Sequence, residues 1–246
     1  MKIAIFSDIH ANLPALLNCL DHAKNLGVQK IICLGDTVGY GPFPNECLDI
    51  IKHETISVLG NHDAAIIGKQ PLHSFKGTNI DVLTWTKNNI TQENLHYLQQ
   101  APLTYSEDFW IAAHASPISP HKWTYLKSAA KCREILKQIS HKICFVGHTH
   151  RPALAPSELG VFKLSPDYQF VINPGSVGQS RDGDLRASYG IFDSSLYEYH
   201  HFRIEYNIHE TLKGYEKLNI PIRKAKALLN INETRSFFSF LDKFFV

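Results

Sequence analysis

A short, β-branched apolar run ending on glycine or a polar cluster recurs along the first two thirds of the chain, and this recurrence constrains the fold more than any other feature. The runs are residues 3–6, 30–34, 56–59, 109–113 and 143–146. Each is too short for a helix and rich in strand-forming side chains. Between them lie amphipathic or polar stretches. Residues 14–26 place Leu16, Leu17 and Leu20 on a helical repeat, with Pro14 in the first turn and Gly27 as a stop. Further helices are expected at 45–52, 80–88, 94–100 and 128–138. Alternation of this kind predicts an α/β domain with much parallel sheet. After His150 the pattern becomes β-rich, with strands expected at 161–164, 169–172, 188–192 and 196–204, which suggests a second sheet. A helical segment at 221–229 and an aromatic tail follow, and no repeat or Gly/Ser linker interrupts the chain, so 1–246 is expected to be one domain with a C-terminal helical and aromatic tail from about 221.

The residues just past these runs are chemically alike. Asp8 and His10 follow the first, Asp36 follows the second through Gly35, and Asn61 and His62 follow the third through Gly60. His114 ends the fourth, while His148 and His150 follow the fifth through Gly147. In open α/β sheets ligands bind outside the carboxyl ends of parallel strands, so five separate segments are expected to converge on one edge. Carboxylates, imidazoles and an amide without thiolate suit divalent ions of borderline softness. Asp8-Ile9-His10 and His148-Thr149-His150 each place two candidate ligands two residues apart, on one side of an extended segment. Fourteen histidines are present, and a lone histidine says little. The order and placement of all five clusters carry the weight.

The bulk properties set the surroundings. The chain has 246 residues, 44% hydrophobic, and a formal charge of +2, which gives no whole-chain footprint of a nucleic-acid binder. No apolar run reaches membrane-spanning length, and Met1-Lys2 leads directly into Ile3-Ala4-Ile5-Phe6 with no cleavable signal, so a cytoplasmic location is expected. The five cysteines show no paired spacing and are expected to be reduced and structural.

With Asp8-Ile9-His10, Gly35-Asp36, Gly60-Asn61-His62-Asp63, His114 and Gly147-His148-Thr149-His150 in place, the chain resembles the calcineurin-like metallophosphoesterase superfamily. The stretch 173–189, opening Asn173-Pro174-Gly175-Ser176, and the segment Gly39-Tyr40-Gly41-Pro42 are similar to its small bacterial and archaeal phosphodiesterase branch. The resemblance implies a four-layer α/β/β/α sandwich with two mixed sheets flanked by helices. It also implies two divalent metal ions, drawn from Mn, Fe, Zn and Ni. Asp8, His10, Asp36 and His150 would hold one, Asp36, Asn61, His114 and His148 the other, with Asp36 bridging. A bridging hydroxide would attack phosphorus while the metals absorb phosphoryl charge. His62 resembles the family's general acid, against the plainer reading of a loop histidine that hydrogen-bonds a ligand. Asp63 either orients His62 or caps the segment after it. Arg181 and Arg186 are candidates for holding substrate phosphate or for bracing a loop. Ser176 belongs either to a phosphate loop or to a turn packed near the metals.

Departures from the family pattern narrow the activity. The protein serine/threonine phosphatases carry Asp and Arg three and four residues after the bridging Asp, where this chain has Gly39 and Tyr40. That points to a phosphodiesterase or phosphatase acting on a soluble ester or nucleotide, with dinucleoside polyphosphate hydrolysis as the alternative. A non-catalytic metal-binding scaffold is the alternative of another class. Tyr40 either stacks on substrate or packs its loop, and Trp123 and Tyr125 either wall the pocket or cover the sheet. The aromatic tail, Phe237 to Phe245, either packs on the domain or makes a contact between copies of the chain. No membrane or nucleic-acid partner is expected.

Overall fold

In the computed structural model, residues 1–161 and 163–231 are described. The strands are β1 (Lys2–Phe6), β2 (Lys30–Cys33), β3 (Ile56–Ser57), β4 (Thr104–Glu107), β5 (Trp110–Ala113), β6 (Ile143–Phe145), β7 (Pro152–Pro156), β8 (Phe170–Pro174), β9 (Ala187–Asp193) and β10 (Glu198–Ile204). The helices are α1 (Leu13–Asn25), α2 (Pro44–Glu54), α3 (Asn61–Ile66), α4 (Thr78–Asn89), α5 (Gln92–Gln100), α6 (Ala129–Leu136), α7 (Ile208–Gly214) and α8 (Ile222–Leu228). They build two five-stranded mixed sheets, ordered β10-β9-β1-β2-β3 and β4-β5-β6-β8-β7. The expected α/β architecture of two mixed sheets flanked by helices is present.

Side-chain alternation along β1 explains the layering. Ile3 and Ile5 point into the core between the sheets, where they meet Trp110, Phe145, Phe170 and Phe192. Ala4 and Phe6 point the other way, against Leu16, Cys19 and Ala23 of α1 and Cys47 and Ile51 of α2. A strand buried on both faces has no polar stripe, which is why these runs are continuously apolar. On the far side Cys132 and Leu136 of α6 cover Cys144, Val146 and Val171. Helices, sheet, sheet and helix thus form four layers. All five cysteines are buried and unpaired, and burial pushes thiols such as Cys33 up to about 12.

Helix α1 starts where the sequence indicates. The Asn12 side chain accepts from the Ala15 N–H, Pro14 sits in the first turn, and Gly27 adopts a positive φ beyond the end.

Three expectations are corrected. The β-rich region after His150 does not form the second sheet by itself. β9 runs antiparallel to β1 and, with β10, completes the first sheet, whereas the second sheet begins at β4. No strand forms at residues 161, 163 and 164; the edge is β7 instead. Strand β7 begins and ends on proline, which an edge tolerates because one side of it makes no ladder hydrogen bonds. The run at 56–59 is regular strand only over Ile56–Ser57, although Val58 and Leu59 continue its bonding to Cys33 and Pro102 carbonyls. The aromatic tail lies outside the described residues.

Strands β1, β2 and β3 are parallel, as are β5, β6 and β8, and both groups end at the same edge of the sandwich. That edge carries the site.

Candidate metal centre

Asp8, His10, Asp36, Asn61, His62, His114, His148 and His150 all meet at this edge, and each is at least nine-tenths buried. Asp8, His10, Asp36, His148 and His150 have φ of 53°, 49°, 53°, 62° and 57°. A residue other than glycine pays on the order of 1–3 kcal/mol for such left-handed backbone, and clusters of these conformations mark functional sites. This corrects the expectation that the Asp8/His10 and His148/His150 pairs lie on extended chain. The strands end two or three residues before these pairs begin, and left-handed turns aim the side chains. Backbone bonds hold the strained segment: Asp8 N–H to Gly35 O, His10 N–H to Asp36 O, and Ala11 N–H to Thr37 O. Glycine is required where the loops touch. A Cβ on Gly60 would collide with the backbone and carboxylate of Asp36, and one on Gly39 would collide with the rings of His10 and His62.

Hydrogen bonds on the outer ring nitrogens fix which atoms face inward. His10 Nδ1 donates to Val38 O at 3.0 Å, His114 Nδ1 to Leu34 O at 2.8 Å, and His150 Nδ1 to Gln179 O at 2.5 Å. With the Nδ1 proton committed to a carbonyl, Nε2 is the ring atom that each of the three turns to the centre. The carboxylates divide in the same way. Asp8 Oδ2 accepts from Ser7 Oγ at 2.6 Å and from the His148 N–H at 3.0 Å, leaving Oδ1 without a hydrogen-bond partner. Asp36 Oδ1 accepts from the His62 N–H at 2.8 Å, while its Oδ2 lies 3.7 Å from His10 Nε2 and 3.3 Å from His114 Nε2.

Three groups of converging atoms result, Asp8/His10/His150, Asp36/His114/His148 and His10/Asp36/His62, each with ligand atoms mutually within 4.8 Å. Asn61 Oδ1 and His148 Nδ1 both lie 3.1 Å from His114 Nε2 and so join the second group. His10 Nε2 and His150 Nε2 are 3.2 Å apart, although each ring has its proton on the far side. Two facing lone pairs and an orphaned buried carboxylate oxygen repel one another unless a cation sits between them. The donor set therefore fits divalent metal.

Electrostatics point the same way. Burial holds His10 and His150 well below the usual imidazole range, and lowers His148 to about 3. Burial also opposes charge on Asp36 and His114, yet their mutual attraction wins: Asp36 is held well below the carboxylate range and His114 is raised to about 9. Burial raises Asp8 to about 6, the nearby Asp36 charge adding to it. Three imidazoles are thus neutral and ready to coordinate, and one proton remains on His114.

His62 sits on the first turn of α3 with its ring centroid 4.7 Å from His10, 4.9 Å from Tyr40 and 4.7 Å from Phe75. Its buried Nδ1 has no hydrogen-bond partner, and burial lowers it to about 4. Asp63 neither orients His62 nor stands at the cap position. It is the third residue of α3, accepting from the N–H of Gly60 at the cap and of Thr37 and Val38, so it locks the loop after Asp36.

A cavity of about 700 Å³ opens over these groups. Tyr40 and Arg181 stand together at its wall, with Arg181 Nη2 donating to the Tyr40 hydroxyl at 3.0 Å and Nε to Gln179 Oε1 at 3.0 Å. Tyr125 stacks on His148 at 3.8 Å between centroids, and Trp123 bonds Gln70 at 3.2 Å, so both wall the cavity. Arg186 is drawn away into an ion pair with Asp184. Ser176 is a brace: its hydroxyl donates to Asp8 O and accepts from the Gln179 N–H, both at 2.8 Å. The helix expected at 221–229 forms as α8, but sequence reading missed that its Lys224 and Leu228 line the cavity, and missed Gln179, which ties Leu228 O to the site. No spacing signal marks either, because their position depends on how the C-terminal helices fold back.

A model of the calcineurin-like phosphoesterase superfamily domain matches residues 1–195, and the chain belongs to this superfamily of metal-dependent hydrolytic phosphoesterases. An uncharacterised protein of Methanocaldococcus jannaschii is 41% identical over 229 residues, covering 88% of this chain and 91% of its own. Phosphodiesterase YfcE of Escherichia coli is 26% identical over 207 residues, covering 80% and 89%. The crystal structure of a metallophosphoesterase from Sphaerobacter thermophilus superposes with a TM-score of 0.81 at 35% identity, covering 93% of this chain and 98% of the other.

Proposed function

We propose that the chain is a dinuclear metal-dependent phosphodiesterase or phosphatase that hydrolyses a soluble phosphate ester. The observation that carries this reading is the pair of buried ligand groups, Asp8/His10/His150 and Asp36/His114/His148, with Asp36 Oδ2 between His10 and His114. Asp8, His10, Asp36 and His150 would hold one ion, and Asp36, Asn61, His114 and His148 the other. When bound, two divalent ions supply a nucleophile from coordinated water near neutral pH and Lewis acidity toward the phosphoryl oxygens. Mn, Fe, Zn and Ni all suit this donor set.

The chain's own groups do the rest. Arg181 presents guanidinium donors at the cavity wall, suited to a phosphoryl oxygen, and the Tyr40 hydroxyl holds it in place. His62, whose Nδ1 is free of any protein partner, is placed to protonate the leaving oxygen. Its lowered proton affinity in the metal-free site makes it a strong acid once charged, and the Asp36 carboxylate favours that charged form. Tyr125 and Trp123 exclude water on the His148 side. The shared core between the two sheets supports reading 1–246 as one domain. Among the described residues no helix is long and apolar enough to cross a membrane, which accords with a cytoplasmic enzyme.

The test is metal-stripped protein reloaded with Mn²⁺ and assayed side by side against an aryl monoester, an aryl diester and a dinucleoside polyphosphate. Turnover of the monoester or diester is expected. Metal binding without turnover of any of the three would favour the non-catalytic scaffold, and turnover of the third alone would favour the dinucleoside polyphosphate hydrolase.

A further inference from the structure

The four histidines assigned to the metals are not held alike. His10, His114 and His150 each fix the ring by an outer hydrogen bond from Nδ1 to a backbone carbonyl. His148 is reversed. Its Nδ1 faces His114 Nε2 at 3.1 Å, and Nε2, the outer nitrogen, is buried without a hydrogen-bond partner among the described residues. Its backbone N–H is tied to Asp8 Oδ2 at 3.0 Å, which places the residue but does not fix the rotation of its ring. A metal-ligating histidine ordinarily has its outer nitrogen engaged, and that bond sets the ring's orientation. Another contact has to do this for His148.

The ring of Tyr125 lies against it. The two centroids are 3.8 Å apart with the planes 24° from parallel, the shortest ring contact among the described residues. Tyr125 is 37% exposed, so burial in the core does not account for its placement. Its neighbours do. The segment between β5 and α6 has no regular structure beyond the 3₁₀ turn Pro120–Lys122, yet it is anchored on both sides of Tyr125. Trp123 packs against the cluster containing Val38 and Leu59 and donates through Nε1 to Gln70 Oε1 at 3.2 Å. Leu126 packs against Cys132, Cys144 and Val146, at the end of the strand that leads to His148. Lys127 Nζ, 4.5 Å from the Tyr125 centroid, adds a cation–π contact. His10 and His150 stack on each other instead, and neither makes a ring contact with Tyr125 among the described residues.

We infer that Tyr125 is a positioning residue for His148, its ring face standing in for the missing outer hydrogen bond. The ion held by Asp36, Asn61, His114 and His148 then depends on Tyr125, and the ion held by Asp8, His10, Asp36 and His150 does not. This rests on the reading of His148 as a metal ligand, and it does not require the phosphoesterase activity.

The experiment titrates Mn²⁺ into the metal-free full chain and reads the free ion by its electron paramagnetic resonance signal, giving an affinity for each of two ions. Tyr125→Leu should weaken one of them by roughly 10- to 100-fold, the range for loss of the outer partner of a ligating histidine, and leave the other within about twofold. Tyr125→Phe keeps the ring and should restore the parent values. His148→Asn keeps a donor atom but no ring. It should weaken the same ion, and adding Tyr125→Leu to it should cost nothing more, because the stack acts only through that ring. No loss in Tyr125→Leu, equal losses for both ions, losses that add in the double variant, or no rescue by Phe would each overturn the positioning role. Two ions bound as expected, with no turnover of p-nitrophenyl phosphate or its bis ester, would overturn the phosphoesterase reading and leave the role of Tyr125 standing. A parent chain that binds fewer than two ions would overturn both. Because Tyr125 is partly exposed, the circular dichroism spectra of its variants should match that of the parent.

Discussion

Asp36 and His62 are adjacent at the centre, but the geometry gives them separable duties. Asp36 uses one oxygen to fix the His62 backbone and directs the other between His10 and His114. Replacing it with Asn removes the charge that two ions would share, so Asp36→Asn should lose metal from both positions, measured as metal content after dialysis. His62→Ala should keep its metal while kcat falls by about 10² to 10⁴, the range for loss of a general acid. Because His62 also lies within ligand distance of His10 and Asp36, release of an ion from His62→Ala would reassign it as a ligand. At this scale the sequence was most informative. Each metal-capable residue was legible from its type and its place after a strand. What it hid was backbone: left-handed turns at Asp8, His10, Asp36, His148 and His150 aim the side chains, and only context imposes φ > 0 on such residues. The role of Asp63 was hidden likewise, since its three N–H partners come from two loops.

Among elements, the central strands and most helices were legible because their patterns are local. The edge strands β4 and β7 were not, being short, half-exposed and stabilised by pairing on one side. Nor was the assignment of β9 and β10 to the first sheet, since alternation marks a strand without naming its neighbour. The most consequential omission was the docking of α8 over the cavity. Its clamp is Gln179, which donates to Leu228 O at 2.8 Å, accepts from Arg181 Nε, and offers its backbone carbonyl to His150. Gln179→Ala keeps that carbonyl but removes one hydrogen-bond anchor from each of α8 and Arg181. Its KM should rise by about tenfold, the cost of one charge-assisted bond, with metal content retained. Unchanged KM would show that α8 and Arg181 are positioned without it.

For the whole molecule, the buried cluster couples stability, pH and metal. His10 and His150 are held well below the usual range, and His62 and His148 are lowered to about 4 and about 3. Stability contributed by lowered histidines is present above their unfolded value of 6.5 and is lost as pH falls toward 4 and 3. His114, raised to about 9, contributes the opposite way: its share is present below 6.5 and is lost as pH rises through 9. From these histidines the metal-free protein should be most stable near pH 6.5, with Tm falling on either side. Coordination requires the His114 nitrogen to give up its proton. Metal binding below pH 9 should therefore release protons, seen as a buffer-dependent binding enthalpy, and the decline on the alkaline side should vanish in the loaded protein. A Tm that falls equally with and without metal between pH 6.5 and 9 would contradict this account of the cluster.

The central claim is that two ions act together at one bridged centre. Mn²⁺ titrated into metal-free protein while hydrolysis of an aryl phosphate ester is followed tests it most directly. The account predicts little turnover through the first equivalent and a plateau at two per chain. A plateau at one equivalent, or binding of two with no turnover, would contradict it.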